Sequence, residues 1–210
     1  MSLEQRFPTR TYAAVSGAWM KSEVDRVMGV FDFYPPQFGT SDPPAFIFQS
    51  GTREQLDFDE RTLTVTVNQL VGKEWAFGAR YRISRAELDD QFPDIPAAAT
   101  AYGGFRRQQQ LEATLQQVHL FALFNHRSGF FAQFDSLWTA QRNSGYSPEM
   151  PGDDFWQFNA FVGYRFPRRQ AEMRLGLLNI TDQDYRLNPL NLTSELPRER
   201  TFLASFRFSF

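Results

Sequence analysis

The sequence predicts an all-β chain, either an antiparallel transmembrane β-barrel of about eight long strands or the carboxyl-terminal strands of a larger barrel, treated as a single domain over residues 1–210. Three observations lead there. The last ten residues alternate strictly, with Phe202, Ala204, Phe206, Phe208 and Phe210 on one face of a strand and Thr201, Ser205, Arg207 and Ser209 on the other. A soluble strand gains little from four phenylalanines on one face ending at the chain terminus, whereas lipid accounts for them. Phenylalanine, with 23 copies, dominates the aromatic content and favours strands. Finally, the connections between strand-like segments alternate between short and long, as in outer-membrane barrels with short periplasmic turns and long outer loops.

Eight segments can be drawn: Arg10 to Phe33, Gly51 to Val71, Glu74 to Leu88, Gln108 to Asn125, Gly129 to Arg142, Asp154 to Phe166, Gln170 to Arg186 and Arg200 to Phe210. Tight joins fall at Gly72-Lys73, His126 to Ser128 and Pro167 to Arg169. Longer ones, rich in Pro, Gly, Asn, Asp and Ser, fall at Tyr34 to Ser50, Asp89 to Arg107, Asn143 to Asp153 and Leu187 to Glu199. In the third segment Trp75, Phe77, Ala79, Tyr81 and Ile83 oppose Gly78, Arg80, Arg82 and Ser84. The fourth changes parity near Gln116-Gln117, from Leu111, Ala113 and Leu115 to Val118, Leu120, Ala122 and Phe124, which predicts a bulge or the exit of the strand from the membrane. In the fifth, Phe130, Ala132, Phe134, Trp138 and Ala140 oppose Gln133, Asp135, Thr139 and Gln141. In the sixth, Trp156, Phe158, Ala160, Val162, Tyr164 and Phe166 oppose Gln157, Asn159, Gly163 and Arg165. Several segments exceed the roughly 9 to 11 residues that cross a bilayer as a tilted strand. Their charged ends, Lys21 to Arg26 and Thr52 to Asp57, are expected to project beyond the lipid.

Two sets of residues follow from the alternation. Trp75, Tyr81, Trp138, Trp156 and Tyr164 are the expected lipid-interface aromatics, with a soluble β-core as the alternative. Arg80, Arg82, Gln133, Asp135, Gln157, Asn159, Arg165, Arg174 and Arg207 are the expected lumen-facing polar residues. They suit a hydrated interior, a seat for a plug, or a salt-bridge network that fills a narrow barrel.

Other chemistry is sparse. The formal net charge of −2 argues against a nucleic-acid partner. With no cysteine there is no disulfide framework or thiolate metal site. The two histidines, His119 and His126, belong to no recognisable catalytic arrangement, and His126 reads as a solvated turn residue. No catalytic residue, metal, cofactor or enzymatic activity is expected. Asp89-Asp90 with Asp94, and Gly152-Asp153-Asp154, read as solvated loops, with a hard-cation site as the alternative. Gly103-Gly104 reads as a turn, and the acceptor patterns at Asn179 and Asn191 carry no weight in a bacterial outer membrane. No stretch approaches the roughly 20 apolar residues of a membrane helix, which a barrel strand does not need.

Gly176 to Arg186, followed by a polar loop containing Pro197 to Phe202 and the terminal strand, resembles the carboxyl end of TonB-dependent receptors over about the last forty residues. In that family the penultimate strand carries a Gly-Val-Glu-Asn-Leu-x-Asp-x-x-Tyr type of signature and the chain ends on Phe or Trp. The resemblance implies transport of an unidentified ligand across the outer membrane of a Gram-negative-type bacterium. Its implied partners are outer-membrane lipid, an upstream plug domain with TonB-type energy coupling, and barrel-assembly machinery that reads Phe206, Phe208 and Phe210. Met1 to Arg10 has no apolar signal-peptide core, so the expectation is a mature or engineered chain or the carboxyl-terminal piece of a longer polypeptide. The alternative is a complete eight-stranded barrel with a structural or adhesive surface role, closed by pairing of Tyr12 to Trp19 with Phe202 to Phe210. A soluble lipid-binding barrel, with Phe202, Phe206 and Phe208 turned inward, is the third reading.

Overall fold

A computed structural model describes residues 1–34, 46–96, 106–167 and 170–208. Nine strands form one antiparallel sheet in chain order: β1 (Ser2–Arg6), β2 (Thr11–Tyr34), β3 (Phe46–Val71), β4 (Trp75–Gln91), β5 (Gln108–Asn125), β6 (Phe130–Ser144), β7 (Asp153–Arg165), β8 (Ala171–Leu178) and β9 (Thr201–Phe208). No α-helix occurs among the described residues. The all-β expectation holds. Among the described residues no pairing joins β1 to β9, so the sheet is open and a closed barrel is not shown.

Four features depart from the sequence reading. β1 is an added strand, pairing Arg6 with Tyr12 and Ser2 with Ser16. It occupies the edge of β2 that closure onto Phe202 to Phe210 required. β3 begins at Phe46, inside the expected loop Tyr34 to Ser50, whereas the expected surface loop Pro35 to Pro44 lies outside the described residues. Third, β5 and β6 pair without interruption from Glu112 with Ser144 to Asn125 with Phe131, so this ladder contains no bulge at Gln116-Gln117. Ala113 and Leu115 are buried on the same face as Gln117 and His119, and the parity change marks where that face is covered. Fourth, the seventh segment ends at Leu178, eight residues before Arg186.

Backbone contacts divide the chain into two compact units. The first comprises Met1–Trp19, Glu60–Ala86 and Glu112–Phe210, and the second Met20–Asp59 and Glu87–Leu111. In the first unit, the connection from Asn179 to Arg200 does not continue β8 as a hairpin arm. It lies back over one face of the sheet as a strap, leaving the other face open. The strap face carries the buried side chains Ala86, Ala113, Leu115, Phe131, Phe155, Phe161, Thr139, Gln141 and Gln157. On the open face stand Trp75, Phe77, Leu120, Phe130, Phe134, Trp156, Val162, Met173 and Leu175, all exposed. Phe202 and Phe208 of β9 are 81% and 61% exposed on that same face.

Large rings fit on the strap face because glycine faces them. Phe131 is paired with Gly163 and Phe161 with Gly176. A Cβ added at Gly163 comes within 2.3 Å of the Phe131 ring, and one at Gly176 within 2.5 Å of Phe161. Arg165 and Arg174 lie over those same rings, at 4.3 and 3.8 Å from their centres. Each ring is thus sandwiched between a bare backbone and a guanidinium, a cation–π arrangement that keeps polar heads above apolar surface.

In the second unit, Arg26 is paired with the buried carboxylate of Glu54, and Arg53 grips Asp94 through two bonds of 2.7 and 2.9 Å. Asp94 is therefore held below the usual carboxylate range by the Arg53 guanidinium. Burial, and then the neighbouring Glu54 charge, push Asp90 upward. Among the described residues no group of three or more His, Asp or Glu side chains converges on a possible cation position. The cation alternative for Asp89, Asp90 and Asp94 is not met, because Asp94 has turned to an arginine.

Candidate functional site: a strapped polar face

Asn179 starts the strap. Its φ of 48° is left-handed, a conformation that asparagine tolerates better than most residues, and it ends β8. Every polar atom of its side chain is used. The amide donates to the carbonyls of Gln183 (3.0 Å) and Pro197 (3.1 Å), and its oxygen accepts from the Gln183 N–H (2.8 Å). Its own N–H donates to Asn159 of β7 at 2.8 Å. Asp182, also left-handed, accepts the Arg200 N–H at 2.7 Å and so joins the two ends of the strap. Tyr185 stacks on Phe155 at 5.1 Å, donates its hydroxyl proton to the Leu196 carbonyl and accepts from the Leu196 N–H.

Further along, sheet and strap are joined through buried amides. Gln141 donates to the Asn188 carbonyl and to Asn191 Oδ1, both at 2.9 Å, and accepts the Asn188 N–H at 2.6 Å. Asn191, 1% exposed, reaches the backbone carbonyls of Ala113 (3.1 Å) and Ser84 (3.3 Å). The Leu192 N–H donates to Glu60 at 3.2 Å, and Arg82 donates to the Leu192 carbonyl at 2.6 Å. Gln157, 2% exposed, donates to the carbonyls of Pro197 (2.9 Å) and Gln183 (3.2 Å). A strap without regular structure buries backbone groups that need partners, and the sheet supplies them from side chains.

Between strap and sheet lies a cavity of about 430 Å³, lined by Arg80 and Arg82 of β4, Gln117 and His119 of β5, Asp135 and Leu137 of β6, Asn159 of β7, and Thr193, Ser194 and Leu196 of the strap. Asp135 accepts from His119 Nε2 at 3.3 Å and from Gln133 at 2.9 and 3.0 Å. Gln133 in turn accepts from Arg174 at 3.3 Å.

The nine polar residues expected to share a face therefore separate into groups. Arg80, Arg82, Asp135 and Asn159 meet at the cavity, with Gln133 and Arg174 behind Asp135. Gln157 is a strap anchor. Arg165 lies apart, bonded to Glu172 (2.9 Å) and Asn125 (2.6 Å). Arg207 is on the edge strand β9, opposite Glu172 in register. Asn179 and Tyr185, expected in the seventh strand, and Asn188 and Asn191, expected in a loop, are the residues that build the strap; the asparagines crowding Asn179 to Asn191 were the available signal.

On the open face the aromatics form two rows. Trp75, Phe124 and Phe130 are in succession at ring distances of 4.8 and 6.5 Å, and Phe130 is paired with Tyr164. At the far end Trp138 is paired with Trp156, Trp138 donates its indole N–H to Asp154 at 2.6 Å, and Tyr81 donates to Gln116 at 3.1 Å. Asp153 accepts the Arg186 N–H at 2.6 Å, so the two aspartates of Gly152-Asp153-Asp154 are both engaged within the chain. His126 contacts Ser128 at 2.8 Å within its turn. Phe210, the last of the three residues expected to guide assembly, lies outside the described residues.

No family model, curated protein or solved structure matches the chain.

Proposed function

We propose that this chain forms part of the wall of an outer-membrane β-barrel, the carboxyl-terminal part of a TonB-dependent-receptor-like transporter whose ligand is not identified. The observation that carries this reading is the open face. It is exposed, apolar from β4 to β9, and edged by two aromatic rows. A contiguous exposed apolar face of this kind marks a protein–protein or membrane interaction surface. From Phe130 to Trp138 on β6, and from Trp156 to Tyr164 on β7, the rows are about 26 Å apart along the strand at ~3.3 Å per residue. Tilted by about 40°, that rises about 20 Å, within an apolar band about 25 Å tall.

The resemblance to the receptor family supports transport, and the signature residues have structural roles that suit it: Asn179, Asp182 and Tyr185 hold the strap. A larger barrel accommodates the open sheet, whose edges β1 and β9 need neighbours. The alternative, a complete eight-stranded barrel with a structural or adhesive role, is less well supported because β1 takes the edge of β2 on which closure depended.

The test is fractionation of the protein in its native host or after export in a Gram-negative bacterium. The expected result is recovery in the outer membrane, resistance to alkaline extraction, and a requirement for detergent. A monodisperse protein in buffer without detergent overturns the membrane reading.

A further inference from the structure

We propose that the cavity beneath the strap binds a small ligand bearing an oxyanion, a carboxylate or a phosphate, with Arg80 as its principal contact. The cavity's volume of about 430 Å³ lies in the range of small-molecule sites. Arg80 and Arg82 are two residues apart on β4 and so point from the same face into it. Among the described residues Arg80 has no hydrogen-bond or ion-pair partner. Arg82 is committed through one amino group to the Leu192 carbonyl, yet its Nε is buried without a partner.

The rest of the lining is rich in donors. The carbonyl oxygen of the Asn159 side chain is taken by the Asn179 N–H, which leaves its amide N–H groups to donate. Thr193 and Ser194 bring two hydroxyls from the strap. The one acidic group in the lining, Asp135, is 7% exposed and already accepts from His119 and Gln133. Glu60 stands 4.0 Å from Arg82 but accepts from Ser84 and from Leu192. Arg80 is thus the uncompensated cation of the cavity, and a charged fork beside neutral donors recognises carboxylates and phosphates.

This proposal concerns only the strap side of the sheet and does not rest on the membrane reading. It is tested by isothermal titration calorimetry on the full chain, refolded in detergent or in plain buffer if it dissolves there, with citrate in one arm and inorganic phosphate in the other. Saturable one-to-one binding is expected in at least one arm, and the arm that responds identifies the oxyanion. R80Q should weaken it roughly tenfold or more, the effect of losing a charge-assisted contact, without changing the melting temperature. R207Q removes a like charge from β9, outside the cavity, and should leave affinity within about twofold. Absence of saturable binding in both arms, or equal weakening by R80Q and R207Q, overturns the proposal.

Discussion

Asn179 combines two functions that substitution separates. Its left-handed φ penalises a residue with an ordinary side chain, and its amide holds both ends of the strap. Asn179→Ala should therefore cost about 2 to 4 kcal/mol, from the backbone conformation and the loss of buried hydrogen bonds. Asn179→Gly keeps the backbone unstrained and should cost about 1 kcal/mol less. Denaturant unfolding of the refolded protein compares them, and equal losses refute the strain component. In the second unit, Asp94 and Asp90 respond to pH in opposite senses. Arg53 lowers Asp94, so the stabilisation from that pair is complete above the unfolded carboxylate value and is lost as pH falls through the folded one. Asp90 is raised by burial, so its ionisation removes stability as pH rises from the unfolded value through the folded one. Carboxyl NMR titration should show Asp94 titrating below Asp90, with Arg53→Gln returning Asp94 toward the ordinary range. An Asp94 that does not move on that substitution excludes the pair as the cause.

The strap is the element on which the site depends, and buried amides tie it to the sheet along its length. Gln141 donates to Asn191 and also bonds both the N–H and the carbonyl of Asn188. In a double-mutant cycle, Gln141→Ala and Asn191→Ala should each destabilise by roughly 1 to 3 kcal/mol and couple by about 1 kcal/mol. Strict additivity shows that Gln141 and Asn191 hold the strap independently and that their mutual hydrogen bond contributes nothing. How the strap arises also explains what was legible in the sequence. β4, β6, β7 and β9 could be read from alternation because each has one largely apolar face opposite the face that carries most of its polar residues, and the observed registers keep Trp138 opposite Trp156 and Phe206 opposite Met173. β1, Ser-Leu-Glu-Gln-Arg, has almost no apolar side chain and gives no periodic signal. Leu187 to Glu199 has the Pro, Asn and Ser content of an exposed loop, and composition does not distinguish a loop that meets water from one whose carbonyls meet Gln141 and Gln157. The parity change in β5 was a real signal with a different cause: Ala113 and Leu115 are apolar because they are buried on the strapped face.

On the largest scale described, that of the whole first unit, the two faces of the sheet divide the chemistry. One side satisfies its polar groups through the strap; the other presents aromatic and aliphatic side chains that no described residue covers. If that open face meets lipid, position on β9 decides the effect of a charge more than its place in sequence does. Phe206 and Phe208 contact each other edge-on at 4.4 Å on the open face, whereas Ser205, one residue away, is paired with Arg174 and lies on the opposite face. Placing a carboxylate at Phe206 removes a ring from the aromatic row and sets a charge in hydrocarbon. That costs up to roughly 2 to 4 kcal/mol for a basic residue at the midplane, and less for an acidic one or near an interface. Phe206→Asp and Phe208→Asp should therefore sharply reduce heat-modifiable folded protein in isolated outer membranes, with Phe206 the more sensitive because Phe208 is nearer the strand end. Ser205→Asp adds the same charge beside Arg174 and should retain most of the folded protein. Equal tolerance of all three substitutions is incompatible with a lipid-facing β9.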